Sequence, residues 1–359
     1  MVTQYQFILG FEECDKDSLP IVGGKNANLG EMVGAGLRVP PGFALTSKAF
    51  QFYMESEHLW ETVLDALADI AADKITAVAE AGSYIRNAIL SRPIPEVIES
   101  EVVAAYNSLC DRCGEPKLPV AVRSSATAED LAEASFAGQQ DTFLWVRGAA
   151  EVLKATLGCW ASLFTDRAIT YRARVGFPQD EVLISVGIQK MVNAKCAGVM
   201  FTLDPVTGNS SKITIDANWG FGESIVQGMV CPDSFTIRKN PLEIEQCTVG
   251  QKDQCVVPRE CGTAVECVPS EQQDILCLND EEIIELAKMG MRIEGHYGAP
   301  QDIEWAIDKD LPFPENAFTT QSRPVTAAGK KSFDDKLVKE DEKNDTDHII
   351  DLMLKGFGQ

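Results

Sequence analysis

Residues 119–142, PVAVRSSATAEDLAEASFAGQQDT, constrain this chain more than any other stretch. They open on a short apolar, strand-like piece, Pro119-Val120-Ala121-Val122. Arg123 and the small polar run Ser124-Ser125-Ala126-Thr127 follow at once, then an acidic, helix-prone segment and a small-residue loop around Gly138. Small residues and a glycine let backbone N–H groups approach an anion closely. An arginine at a strand end adds a permanently charged planar fork suited to phosphate oxygens. The pattern fits a phosphate-handling site; on composition alone it also fits a solvated loop between two strands.

The segment before this stretch divides into two parts. In LPIVGGKNANLGEMVGAGLRVPPGFAL, residues 19–45, Gly23-Gly24 precede Lys25 at the start of a helix over about 26–33. A lysine at a helix start is a phosphate contact or a solvated side chain, and the GxxxxGK[ST] spacing is absent. Residues 46–118 show apolar positions at three- and four-residue spacings, predicting a run of helices, the first from Ser47 to Met54. Residues 149–175 predict two helices with Gly158 as a break, closed by Gly176-Phe177-Pro178. Strands are predicted at 182–191, 196–203, 212–217 and 234–238, and then from Thr248 on. An amphipathic helix is predicted over 281–297. Two strands, 301–307 and 317–323, carry Asp302 and Glu304 on one and Gln321 and Arg323 on the other. Residues two apart on a strand share a face, so neighbouring strands would gather carboxylates, an amide oxygen and a guanidinium together. Such oxygens suit Mg²⁺; the same alternation also describes a solvated sheet face.

With 359 residues, two lobes plus appendages are expected. The balance of 32 basic against 54 acidic side chains leaves a net charge of −22, which disfavours nucleic acid and anionic membrane as partners. No apolar run approaches the ~20 residues of a membrane span, and the first residues lack a signal-peptide pattern. Eleven cysteines without an export signal suggest reduced thiols and a cytoplasmic location. Cys110-x-x-Cys113 lacks the second ligand pair of a zinc site.

Six segments, in order, carry a resemblance: VGGKNANLGEM, VAVRSSATAEDLAEASFAGQQDT, SLFTDRAITYR, GVMFTLDPVTG, NWGFGESIVQG, and HYGAPQDIEWA with TQSRP. Over about residues 15–327 the chain resembles the ATP-binding part of the phosphoenolpyruvate synthase and pyruvate phosphate dikinase family. The resemblance implies an α/β (α+β) ATP-grasp fold, two lobes with mixed or antiparallel sheets and a helical insertion. The expected divisions are 1–190 for the first lobe, 191–327 for the second, and 328–359 for a charged linker or docking tail. It further implies that Lys25, Arg123 and Arg323 act on ATP phosphates and that Gly138, Gln139 and Thr142 cover them. Gln189, Met191 and Val192 would border the adenine, Glu223 would contact the sugar region, and Glu304 and Gln321 would hold Mg²⁺, with Asp302 a lesser candidate. In this family a histidine on a swivelling domain takes the β-phosphoryl group, releasing AMP.

The family's Thr-x-His-type motif does not occur here; the histidines are His58, His296 and His348. The expectation is therefore an ATP-binding subunit serving a separate histidine-bearing subunit. Chain size and the missing domains resemble the arrangement of phenylphosphate synthase, with phenol as acceptor. The alternatives are a split or truncated phosphoenolpyruvate synthase, with pyruvate as acceptor, and a non-catalytic ATP sensor. The loop 309–316 looks long for the family and puts the pairing of Glu304 with Gln321 at risk.

Overall fold

The computed structural model describes residues 6–68, 70, 74–127, 130–131, 134–135 and 141–325. The elements run in chain order as β1 (Ile8–Gly10), α1 (Leu19–Gly34), β2 (Gly42–Leu45), α2 (Ser47–Ser56), α3 (Leu59–Leu67), α4 (Ile75–Ser91) and α5 (Glu96–Cys113). Next come β3 (Pro119–Ala126), the two-residue pair β4 (Asp130–Leu131) and β5 (Ala134–Ser135), β6 (Thr142–Arg147), α6 (Ala149–Ser162), α7 (Asp166–Val175) and β7 (Ile184–Lys190). The remainder comprises β8 (Ala194–Phe201), β9 (Lys212–Trp219), α8 (Glu223–Val226), β10 (Asp233–Arg238), β11 (Glu243–Thr248), β12 (Gln254–Pro258), β13 (Thr263–Cys267), α9 (Ser270–Gln273), α10 (Asp280–Tyr297), β14 (Gln301–Asp308) and β15 (Ala317–Pro324).

Two sheets organise these elements. One has the order β1-β2-β7-β3-β6 and the other β11-β10-β9-β8-β14-β15. Every ladder within them is antiparallel, so the mixed pairing allowed by the sequence is not used in either. β3 and β7 are buried along nearly their whole length because they lie inside the sheet, with β7 between β2 and β3. The helices α2 to α7 cover the first sheet, around a core in which Trp160 stacks on Tyr53 with ring centroids 4.8 Å apart. The second sheet builds its core from Trp305, Ile303, Phe235 and the apolar stripe of α10. Asn279 caps α10 by accepting from the N–H of Glu282, whose carboxylate accepts from the Asn279 N–H in return. Lys252 and Asp233, both fully buried, pair under this sheet, and Asp233 also accepts from the N–H groups of Gly250 and Cys277.

α1 belongs to both halves. Its apolar side chains Val22, Leu29 and Met32 join the core of the second sheet, while Asn26 reaches the first. Buried Asn26 donates to the carbonyl of Val22 and to Ser185 Oγ on β7, each at 3.0 Å. Asn28 donates to the carbonyl of Ser322 on β15. This is the two-lobed α/β ATP-grasp arrangement, with a helical layer on the first sheet.

Gly158 does not break a helix. It lies inside α6, and the interruption falls at Leu163–Thr165, where Thr165 caps α7 through the N–H of Ala168. Its lack of a side chain answers to packing: a Cβ there would stand 2.5 Å from Cζ of Phe143. Gly158→Ala is expected to cost about 1–3 kcal/mol, the usual penalty of overpacking, seen as a lower denaturation midpoint at unchanged m-value. The loop 309–316 does not disturb the strands before and after it either: Glu304 and Gln321 are direct partners in the β14–β15 ladder. Residues 328–359 and the loop tip with Gly138 and Gln139 lie outside the described residues.

Candidate functional site

The sheets meet at Arg123. It sits on β3, its side chain 15% exposed, and reaches across to β14 and β15. Nη1 donates to the carbonyl of Thr320 at 3.0 Å, and Nη2 donates to Glu304 Oε2 at 3.0 Å and Gln321 Oε1 at 2.7 Å. The Thr320 carbonyl is available because the β14–β15 register shifts here: Trp305 pairs with Thr319 and Glu304 with Gln321, leaving Thr320 as the extra residue of a bulge. Nε of Arg123 is buried and has no hydrogen-bond partner among the described residues. A buried guanidinium N–H without an acceptor is costly.

Lys25, Asn26, Gln189, Thr320, Gln321 and Arg123 line one small cavity. Its volume is about 10 Å³, far below that of a nucleotide, so the cleft is closed in this conformation. Gly23 sets Lys25 in place. With φ 71° and ψ 169° it kinks α1, and the chain then restarts as a helix against β3, where the N–H of Asn26 donates to Ser125 Oγ. Lys25 also acts on Cys159: burial pushes that thiol's pKa up strongly, Asp141 adds to the rise, and the lysine opposes it. Burial raises the Asp141 pKa too, against the pull of Arg86.

The other residues singled out in the sequence fall in three groups. Thr142 is the cross-strand partner of Arg123. Arg323 lies opposite Asp302 and donates to it from Nε and Nη2, both at 2.8 Å, so the two acids and the two partners from β15 do share one face. Gln189 is buried and donates to the carbonyl of Pro40. Met191, Val192 and Glu223 are not among the residues lining the Lys25–Arg123 cavity. Met191 packs instead with Trp145, Phe221 and Val256, and its N–H is taken by the carbonyl of Pro119. Val192 packs with Ala197 and Ala306. Glu223 opens α8 and accepts from Gln227. Gly138 and Gln139 are outside the described residues. His296 faces Glu31 across 3.2 Å at the end of α10. Among the described residues no group of three or more His, Cys, Asp or Glu side chains forms a metal-binding cluster, and the cysteines are free.

Sequence reasoning missed Asn26 and Thr320. Asn26 was legible only as part of a helix start, and Thr320 acts through a carbonyl exposed by a bulge, which no side-chain pattern announces.

The oxygens of Glu304 and Gln321 converge on one positive nitrogen, Nη2 of Arg123. A carboxylate and an amide oxygen are hard donors of the kind Mg²⁺ takes.

Residues 19–344 match the model of the pyruvate phosphate dikinase AMP/ATP-binding domain. The chain is similar to a probable phosphoenolpyruvate synthase of Methanothermobacter thermautotrophicus, 44% identical over 90% of this chain and 47% of that protein. It is 42% identical to a probable phosphoenolpyruvate synthase of Methanocaldococcus jannaschii over 98% of this chain and 29% of that protein. It is 39% identical to the phosphoenolpyruvate synthase of Pyrococcus furiosus over 99% of this chain and 47% of that protein. The chain thus spans less than half the length of these relatives. No helix among the described residues is long and apolar enough to cross a membrane.

Proposed function

Since the chain belongs to the pyruvate phosphate dikinase AMP/ATP-binding family, we propose that it binds ATP between its two sheets and presents the β-phosphoryl group to a histidine outside these residues. The observation that carries this is Arg123, held by both sheets on a single polar seam with Lys25, Glu304 and Gln321.

Lys25 and Arg123 hold the phosphates, with the unpartnered Nε of Arg123 ready to donate to a phosphate oxygen. Glu304 and Gln321 hold Mg²⁺, which when bound neutralises charge on the phosphates. Arg123 occupies their oxygens in the closed cleft, so nucleotide entry requires the guanidinium to let go of β14 and β15 and turn toward the phosphates. Arg323, freed from Asp302, completes the positive rim. Phosphoryl transfer is mostly positioning and charge stabilisation, and these side chains supply both once they have turned to the nucleotide. Met191 and Val192, at the end of β7 just past Gln189, form the apolar wall for the base, and Glu223 faces the sugar. Lobes at 1–190 and 191–327 follow the division of the strands, with β7 ending at Lys190 and β8 starting at Ala194.

The names of the relatives support pyruvate as the acceptor and phosphoenolpyruvate as the product. The expectation of phenol rested on chain size, and no further observation supports it. With ATP labelled in the β-phosphate, acid-labile label on a histidine of the intact protein or of a co-purifying polypeptide is expected, passing to pyruvate when pyruvate is added. Bound but uncleaved ATP in that preparation would instead favour the sensor. Removing the metal with a chelator is expected to stop cleavage. Glu304→Gln is expected to weaken Mg²⁺ binding, measured by titration in the presence of nucleotide, by at least the roughly 10–100-fold that loss of an outer-shell partner costs.

A further inference from the structure

A second and larger cavity lies outside the Arg123 cleft, between the turn after α1 and the face of α10. Its volume is about 220 Å³. Lys288, Met289 and Arg292 enter it from one face of α10, together with Glu285, and Leu37 and Arg38 close it from the turn. Three cations thus surround one carboxylate in a chain whose net charge is −22.

The single acid does not satisfy them. Arg38 Nη2 donates to Glu285 Oε1 at 3.1 Å, but Nη1 of the same guanidinium is buried and has no partner among the described residues. Among the described residues Arg292 donates to a backbone carbonyl, that of Gly36, at 3.3 Å. Lys288 is exposed. A pocket lined mainly by one sign of charge concentrates ligands of the other. Leu37 and Met289 supply an apolar wall beside the charges. A site with a few polar groups set against apolar wall is the usual form of a small-molecule site.

We propose that this cavity binds a small organic oxyanion, a carboxylate or phosphate on a short apolar body, at a site separate from the nucleotide cleft. The oxyanion accepts from Lys288 and Arg292 beside the Arg38 guanidinium, and its carbon skeleton lies on Leu37 and Met289. The proposal does not depend on the nucleotide reading. The two sites are nevertheless joined: the Arg38 carbonyl accepts from the N–H of Thr319, next to the bulge residue whose carbonyl holds Arg123.

The test is calorimetric titration of the protein with inorganic phosphate, glycerol 3-phosphate and succinate, with glycerol as the neutral control. Each is run without nucleotide and again with the cleft filled by Mg²⁺ and a non-hydrolysable ATP analogue. Binding of one anion per chain is expected, persisting when the cleft is filled. It should be at least about tenfold weaker in Lys288→Gln/Arg292→Gln, the worth of one charge-assisted contact. Both residues are exposed, so the variant is expected to keep its wild-type thermal midpoint. A preference for the phosphates or for succinate identifies which oxyanion the site takes. Absence of saturable binding, loss of binding on filling the cleft, equal affinity in the double variant, or equal binding of glycerol would each overturn the proposal. If the analogue itself fails to bind, the nucleotide reading falls, while the comparison of wild type with the double variant still decides this one.

Discussion

Arg123→Met is expected to lower the rate of ATP cleavage by about 10²–10³-fold, the range that follows removal of one preorganised donor from developing charge. Methionine keeps the unbranched apolar stem of the side chain and removes its charge and every donor. In the closed cleft those donors bind the Thr320 carbonyl, Glu304 and Gln321. In the nucleotide complex the same fork is assigned to phosphate. Arg123→Lys is expected to recover little, because an ammonium is a point charge and cannot span a carbonyl on one side and two oxygens on the other. The decisive readout is AMP formation by the intact protein, with nucleotide affinity measured in parallel. Stability should change modestly, since Glu304 stays 28% exposed and can be rehydrated once the ion pair is gone. A variant that cleaves ATP within tenfold of the wild-type rate would remove Arg123 from the phosphates and leave it as a brace between the sheets.

The contrast between Arg123 and Thr320 shows what a sequence of this kind reveals. Arg123 was legible because a strand ending in arginine and small residues has few uses, and because it stands within a recognisable family segment. The four polar residues of the last two strands were legible because period-two alternation fixes which side chains share a face. The structure places Asp302 opposite Arg323 and Glu304 opposite Gln321. The long loop between those strands argued against this pairing. Length alone does not set register, since a bulge absorbs the extra residue, and that bulge also turns the Thr320 carbonyl toward Arg123. Gly158 misled in the opposite way. Glycine reads as a helix break from local propensity, whereas in α6 it makes room for Phe143, a neighbour fixed only by tertiary packing. The helix α1 was legible as a helix, but not as the element that ties Ser185 on one sheet to Ser322 on the other. Such long-range partners leave no periodic trace.

Gly23→Ala is expected to destabilise the protein by about 2–6 kcal/mol, combining roughly 1–3 each for a glycine-only backbone conformation and for forced overpacking. At φ 71° and ψ 169° the residue occupies a region that side chains rarely enter. A Cβ would stand 2.3 Å from the carbonyl oxygen of Ser125 and 2.4 Å from its Oγ. Ser125 belongs to β3 and is held in the ladder with β7 opposite Ser185, so it cannot withdraw without moving the strand that carries Arg123. Relief must come from α1, by lifting Lys25 off the site. Two losses should therefore appear together, a lower denaturation midpoint and weaker nucleotide binding. Gly34→Ala, at the end of the same helix with nothing within 4 Å of its Cβ, supplies the control. It removes a glycine from a helix where space is open, and is expected to be neutral or to gain up to about 1 kcal/mol. If Gly23→Ala matched Gly34→Ala in stability and nucleotide affinity, the kink would be a tolerated irregularity, and the position of Lys25 would need another cause.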